Sequence, residues 1–110
     1  MRNPDQLVEL AELLRRPTER WLKWKQVSDR FKRGEKTVFA KCYLRAKANT
    51  IEERKCLAYS DNEYLIYLNE WDGAEKEEVK AEVEVRNLET NLEALTSALA
   101  YDRESMRNKI

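Results

Sequence analysis

The chain has 110 residues, with 21 Lys/Arg balanced by 21 Asp/Glu, 38% charged residues, two glycines, two prolines and no histidine. That length bounds it at one slender domain, and the Glu-, Lys-, Arg-, Ala- and Leu-rich profile describes long solvated helices rather than a sheet sandwich. Lack of histidine removes the commonest general base, and two cysteines 14 residues apart speak against a structural zinc site. The zero net charge hides a split, because residues 1–55 carry a surplus of seven positive charges and residues 56–110 a surplus of seven negative ones. Laying one half on the other neutralises both; a basic surface left free for nucleic acid is the alternative.

Asn3, Pro4 and Gln6 make a helix start, with Asn3 as N-cap and Pro4 in the first turn. Leu7, Leu10, Ala11 and Leu14 form its apolar face. Pro17 is expected to end it, which predicts a short helix over 4–15 that must dock on the rest. Thr18 then caps a first arm, 19–48. Between Arg15 and Lys36 lie nine basic and three acidic residues, interleaved with Trp21, Trp24 and Phe31. Such a mixture can hold phosphates and stack bases. It can equally be core aromatics under lysine and arginine stems, and the shared stripe of Trp21, Trp24, Ser28 and Phe31 favours that core reading. Arg15, Arg16, Arg20, Lys23, Lys25, Lys32 and Arg33 are the candidate nucleic-acid contacts. Gly34 is a possible break, and Thr37–Tyr43 has an alternative as a strand.

Thr50 and Glu53 have capping-box spacing, so the chain is expected to turn near Asn49 and start a second arm at Ile51. Antiparallel arms about that turn pair residues whose numbers sum to roughly 98, which sets Phe39 near Tyr59 and Cys42 near Cys56 as small packing groups. The second arm is expected over 51–108, with a possible kink at Gly73. It carries a 3,4 apolar alternation: Val85, Leu88, Leu92, Leu95 and Leu99, extending on to Met106 and backwards through Ala81, Ala74, Trp71, Tyr67 and Tyr64 to Leu57. A seam longer than the first arm predicts cover from residues 4–15, from a second subunit or from another protein. Val85, Leu88, Leu92, Leu95, Leu99 and Met106 are thus the candidate dimer or partner seam.

The segment Arg45-Ala46-Lys47-Ala48, the run Thr50-Ile51-Glu52-Glu53-Arg54-Lys55, Tyr67-Leu68, the stretch from Val85 to Leu95, and Ser97, Tyr101 and Glu104-Ser105-Met106-Arg107 together carry a likeness. Over Arg45 to Met106 the chain resembles a family of small helical proteins of tailed bacteriophages, often encoded in the early region beside single-strand annealing recombinases and single-stranded-DNA-binding proteins. The resemblance implies no catalytic residues and an auxiliary role.

The expected fold is all-α: a long antiparallel helical hairpin plus a short N-terminal helix. The expected function is a non-enzymatic phage accessory protein acting by protein–protein contact in early DNA recombination or replication. Direct DNA binding through the basic 15–36 segment is the first alternative, and inhibition of a host nuclease or defence complex the second. Neither cofactor nor small-molecule substrate is implied. Lack of a signal-peptide core or a membrane-length apolar run predicts a cytoplasmic protein, in the host cytosol, with itself and a phage or host protein as partners.

Overall fold

A computed structural model describes residues 5–108. The protein is all-α, with three helices: α1 over Asp5–Arg45, α2 over Ile51–Tyr59 and α3 over Asn62–Asn108. None of them is long and apolar enough to cross a membrane. The proposed Asn3 and Pro4 start lies outside the described residues.

The expected break at Pro17 does not occur. Residues 5–15 and 19–45 belong to one 41-residue helix with Pro17 inside it. A proline there removes one i→i−4 hydrogen bond and crowds the preceding turn. Its compensation is tertiary. Leu7, Leu10, Leu14, Pro17, Trp21, Trp24, Ser28, Phe31, Glu35, Val38 and Cys42 are all buried or half-buried. They recur with steps of 3 and 4, the signature of a helix seated against another along one seam. Pro17 is itself a buried member of that stripe, so continuing the helix gains more than breaking it would. The strand alternative for 37–43 is likewise absent, since these residues are helical.

The second arm is two helices rather than one. Ser60 Oγ donates to the carbonyls of Cys56 (2.9 Å) and Leu57 (3.2 Å), ending α2. Asp61 then caps α3, its Oδ1 accepting from the Glu63 N–H at 2.9 Å. The expected seam therefore starts at Tyr64, and Leu57 stands 45% exposed. At the start of α2 the expected cap is present, with Thr50 Oγ1 accepting from the Glu53 N–H at 3.2 Å. α1 stops at Arg45, three residues short of expectation, where the Ala46 N–H still reaches the Cys42 carbonyl at 3.1 Å.

The helix elements contribute to two compact units. One takes residues 5–22 and 79–108, the other Lys23–Glu78. In the first, Val85 (2% exposed), Ala81 and Leu99 form the core positions of α3, and Arg20 Nη1 on α1 meets Glu84 Oε2 on α3 at 3.0 Å. In the second, Cys42, Ala58 and Tyr64 are the buried centre, with Val38, Phe39, Tyr43 and Leu68 packed on it. Phe39 meets Tyr59 with ring centroids 4.7 Å apart, as expected. Cys42 is buried but Cys56 is exposed, so only the first is a packing group.

Neither glycine interrupts a helix. At Gly34 the missing side chain has a use, because a β-carbon there would lie 2.7 Å from Tyr67 Oη. That hydroxyl donates to the Phe31 carbonyl, and only a glycine leaves room for it to reach the α1 backbone.

Candidate functional site

Seating one stripe of α1 on α3 decides what the opposite stripe presents. Between Lys23 and Lys36 the outward positions are Lys23, Lys25, Gln26, Asp29, Arg30, Lys32, Arg33 and Lys36, all exposed. Among the described residues none of the six cations in this run forms an ion pair with a carboxylate. Lys23 Nζ lies over the Trp24 ring, 5.6 Å from its centroid. Arg33 Nε donates to the Asp29 carbonyl of its own helix at 3.3 Å. Gln26, Asp29, Arg30, Lys32 and Arg33 line a shallow open groove. Of the two acidic residues in this run, Glu35 is turned inward, accepting from the Tyr64 hydroxyl at 2.8 Å. Asp29 alone remains among the cations.

Lys23, Lys25, Lys32 and Arg33 were expected here as candidate contacts; Arg30 and Lys36 share the face without having been singled out. The spacing held the signal, since Arg30 is seven residues from Lys23 and repeats its position on the helix. Arg15, Arg16 and Arg20 are exposed in the other unit. There Arg15 is paired with Glu19 at 3.2 Å and Arg20 with Glu84 at 3.0 Å. Across the helices the carboxylates of α3 and its cap neutralise Arg20, Lys41 and Arg45 of α1, while the 23–36 run is left unneutralised.

The aromatics take the core role that their shared stripe favours, not the base-stacking alternative. Trp21, Trp24 and Phe31 are half-buried members of the α1 stripe, and Phe31 packs edge-on against Tyr67 at 5.1 Å. Ser28 Oγ and Trp71 Nε1 are buried without a hydrogen-bond partner among the described residues.

The expected partner seam is also largely spent. Val85 and Leu99 are buried, and Leu88, Leu92 and Leu95 half-buried. Only Met106, 51% exposed, stands open. The cover expected from a separate N-terminal helix comes from the first half of α1, whose Leu13 and Pro17 line one groove with Leu88 and whose Leu10 lines another with Leu95.

One polar cluster was not foreseen. Arg45 Nη2 donates to both oxygens of Asp61 at 3.0 Å and contacts Cys42 Sγ at 3.6 Å, while Nη1 donates to Glu63 at 2.7 Å. Lys41 adds a second cation to Glu63 at 3.4 Å. Hydrogen bonds from Arg45 hold the Asp61 carboxyl below its ordinary range, with the Glu63 backbone N–H assisting; Arg45 and then Lys41 do the same for Glu63. Burial, followed by the charge of Asp61, pushes the Cys42 thiol up. One ligand-type atom each from Cys42, Asp61 and Glu63 lie within 4.8 Å of one another, the kind of group that can hold a metal. Here the guanidinium of Arg45 bonds all three side chains, so the chain supplies its own cation. The Asp61-Asn62-Glu63 cap was the available sequence signal, masked by an apolar register that ran straight through it.

The molecule is thus of the helical-hairpin class, two long helices seated antiparallel within each unit, with a short third helix at the turn. No family model matches the chain, and neither a curated protein nor a solved structure does.

Proposed function

We propose that this is a non-enzymatic, nucleic-acid-associated accessory protein that holds a nucleic acid by its phosphates on the exposed face of α1 between Lys23 and Lys36. The observation that carries this reading is the set of six cations there with no carboxylate partner among the described residues, on a chain whose total charge is zero. A polyanion releases counterions when such a row engages it, which is the main driving force of sequence-independent binding. From the resemblance of Arg45–Met106 to early-region phage proteins alone, we propose DNA recombination or replication in a bacterial cytosol as the setting.

Fluorescence polarisation with labelled oligonucleotides over a salt series tests it. Binding should fall by up to about a thousandfold between about 50 and 200 mM salt if all the cations engage. Replacing Lys23, Arg30, Arg33 and Lys36 together by Glu should abolish it with helicity by circular dichroism unchanged.

The second reading is action by protein–protein contact, on a phage or host partner or another copy of the chain. It is favoured by the large apolar side chains at the turn, where Leu44 is 75% exposed, Ile51 65% and Tyr59 57%. Failure of every oligonucleotide to bind at low salt would select it.

A further inference from the structure

The seam-facing aromatics and the cationic face together name the form of nucleic acid, given the phosphate-binding reading on which this step rests. Proteins that hold single strands without sequence preference combine a basic track with aromatic faces on which successive bases stack. On the Lys23–Lys36 face the exposed residues are charged or polar, without one aromatic among them. Phe31 is half-buried with its ring edge-on against Tyr67, the two lining only a shallow open groove beside Arg30, Trp71 has its indole nitrogen buried, and the half-buried Trp24 has the Lys23 ammonium over its ring. A flexible strand drawn along this face would lose conformational freedom with little aromatic surface to offset it by stacking.

A duplex loses little, because its phosphates are already ordered. The face is equally ordered: the helix runs unbroken through Gly34. Lys23 and Arg30 are about 10 Å apart along its axis, and the row to Lys36 covers about 20 Å. The shorter span approaches the roughly 12 Å width of a major groove, so Lys23 and Arg30 can meet phosphates on its two sides. Asp29, the one carboxylate among the cations, repels phosphate and pairs with no arginine or lysine side chain, so the row reads charge and spacing rather than base identity.

We infer that the ligand of this face is double-stranded nucleic acid, gripped by its backbone without base stacking and without sequence readout. The test titrates the full chain with a labelled duplex and with each separated strand at about 50 mM salt, following polarisation and intrinsic tryptophan fluorescence together. The expected result is at least tenfold tighter binding of the duplex, equal for unrelated sequences, with no tryptophan quenching. Single-strand binding as tight as the duplex, or quenching on binding, overturns the inference while leaving the phosphate-binding reading standing. No binding of either form overturns the parent reading. Duplex binding that survives the quadruple glutamate variant places the site elsewhere and overturns both. Should that variant lose helicity, the milder Lys23→Gln with Arg33→Gln must weaken duplex binding severalfold, or the inference fails.

Discussion

A β-carbon on Gly34 would come within 2.7 Å of the Tyr67 hydroxyl oxygen, the group that ties α3 to the Phe31 carbonyl of α1. Gly73, by contrast, has nothing within 4 Å of where its β-carbon would be. Glycine in a helix costs about 1 kcal/mol relative to alanine. Gly73→Ala should therefore raise stability by about 1 kcal/mol. Gly34→Ala should gain nothing or lose stability, because displacing Tyr67 forfeits a hydrogen bond of comparable worth. In a Tyr67→Phe background the obstruction is gone and Gly34→Ala should become stabilising. Urea melts of the four variants form a double-mutant cycle; additivity would refute the coupling.

Val85 is 2% exposed in the α3 seam, whereas Val79 is 57% and Val83 51% exposed on the same helix. Truncation to alanine should cost about 2 kcal/mol at Val85, from lost burial plus the cavity left behind. At the other two valines the change should stay within about 0.5 kcal/mol. Equal effects at all three would mean that the 3,4 register is not the one that packs.

The Arg45 cluster gives stability a defined acid limb. Asp61 and Glu63 titrate below their ordinary values of 3.8 and 4.5 because Arg45 bonds their ionised forms. The folded state thus binds protons less readily than the unfolded one. The contribution is complete above those ordinary values and drains away as the pH falls through the depressed ones. Arg45→Met should lower Tm at pH 7, and the gap to wild type should narrow progressively as the pH falls below the ordinary values of 3.8 and 4.5. A gap that stays constant with pH would show that Arg45 acts through packing alone.

The two thiols should separate kinetically. Cys56 is exposed and Cys42 fully buried with its pKa raised by that burial, so the thiolate needed for reaction is both rare and shielded there. One of the two cysteines should react with a disulfide reagent within the mixing time, and the second only at the rate of opening or unfolding. Cys56→Ser should remove the fast phase alone. Two fast equivalents in the native protein would contradict the packing around Ala58 and Tyr64.

Tyr64 offers an alkaline counterpart. Burial, reinforced by its hydrogen bond to Glu35, pushes its phenol up to about 12. Being raised in the folded state, this contribution is complete below the ordinary value of 10.0 and is lost as the pH climbs through the folded one. Tyrosinate absorbance should therefore develop late at this residue, and Tyr64→Phe should remove one late-titrating phenol.

The helical class, the Thr50 cap, the Phe39–Tyr59 approach and the α3 seam from Tyr64 to Leu99 were legible in the residues. Each is either local or a strict repeat along one helix, and the apolar pattern encodes both directly. The run of unpaired cations was legible as composition but not as a surface. The shared stripe of Trp21 and Trp24 already favoured a core role for them; the structure adds that this stripe faces α3, which puts the lysines and arginines on the opposite side.

What only the tertiary structure decided were the places where local preference and the seam disagree. Pro17 favours an end to the helix, yet α1 passes through it because burying the whole stripe outweighs one lost backbone hydrogen bond. Between Tyr59 and Asn62 the opposite holds. The register would continue, but Ser60 and Asp61 satisfy the backbone groups of two helix ends, and Arg45 rewards the break by binding the capping carboxylate. The sequence by itself determined the helices and their apolar repeat; which interruptions were real depended on partners 16 to 18 residues away in the chain, beyond the reach of any local signal.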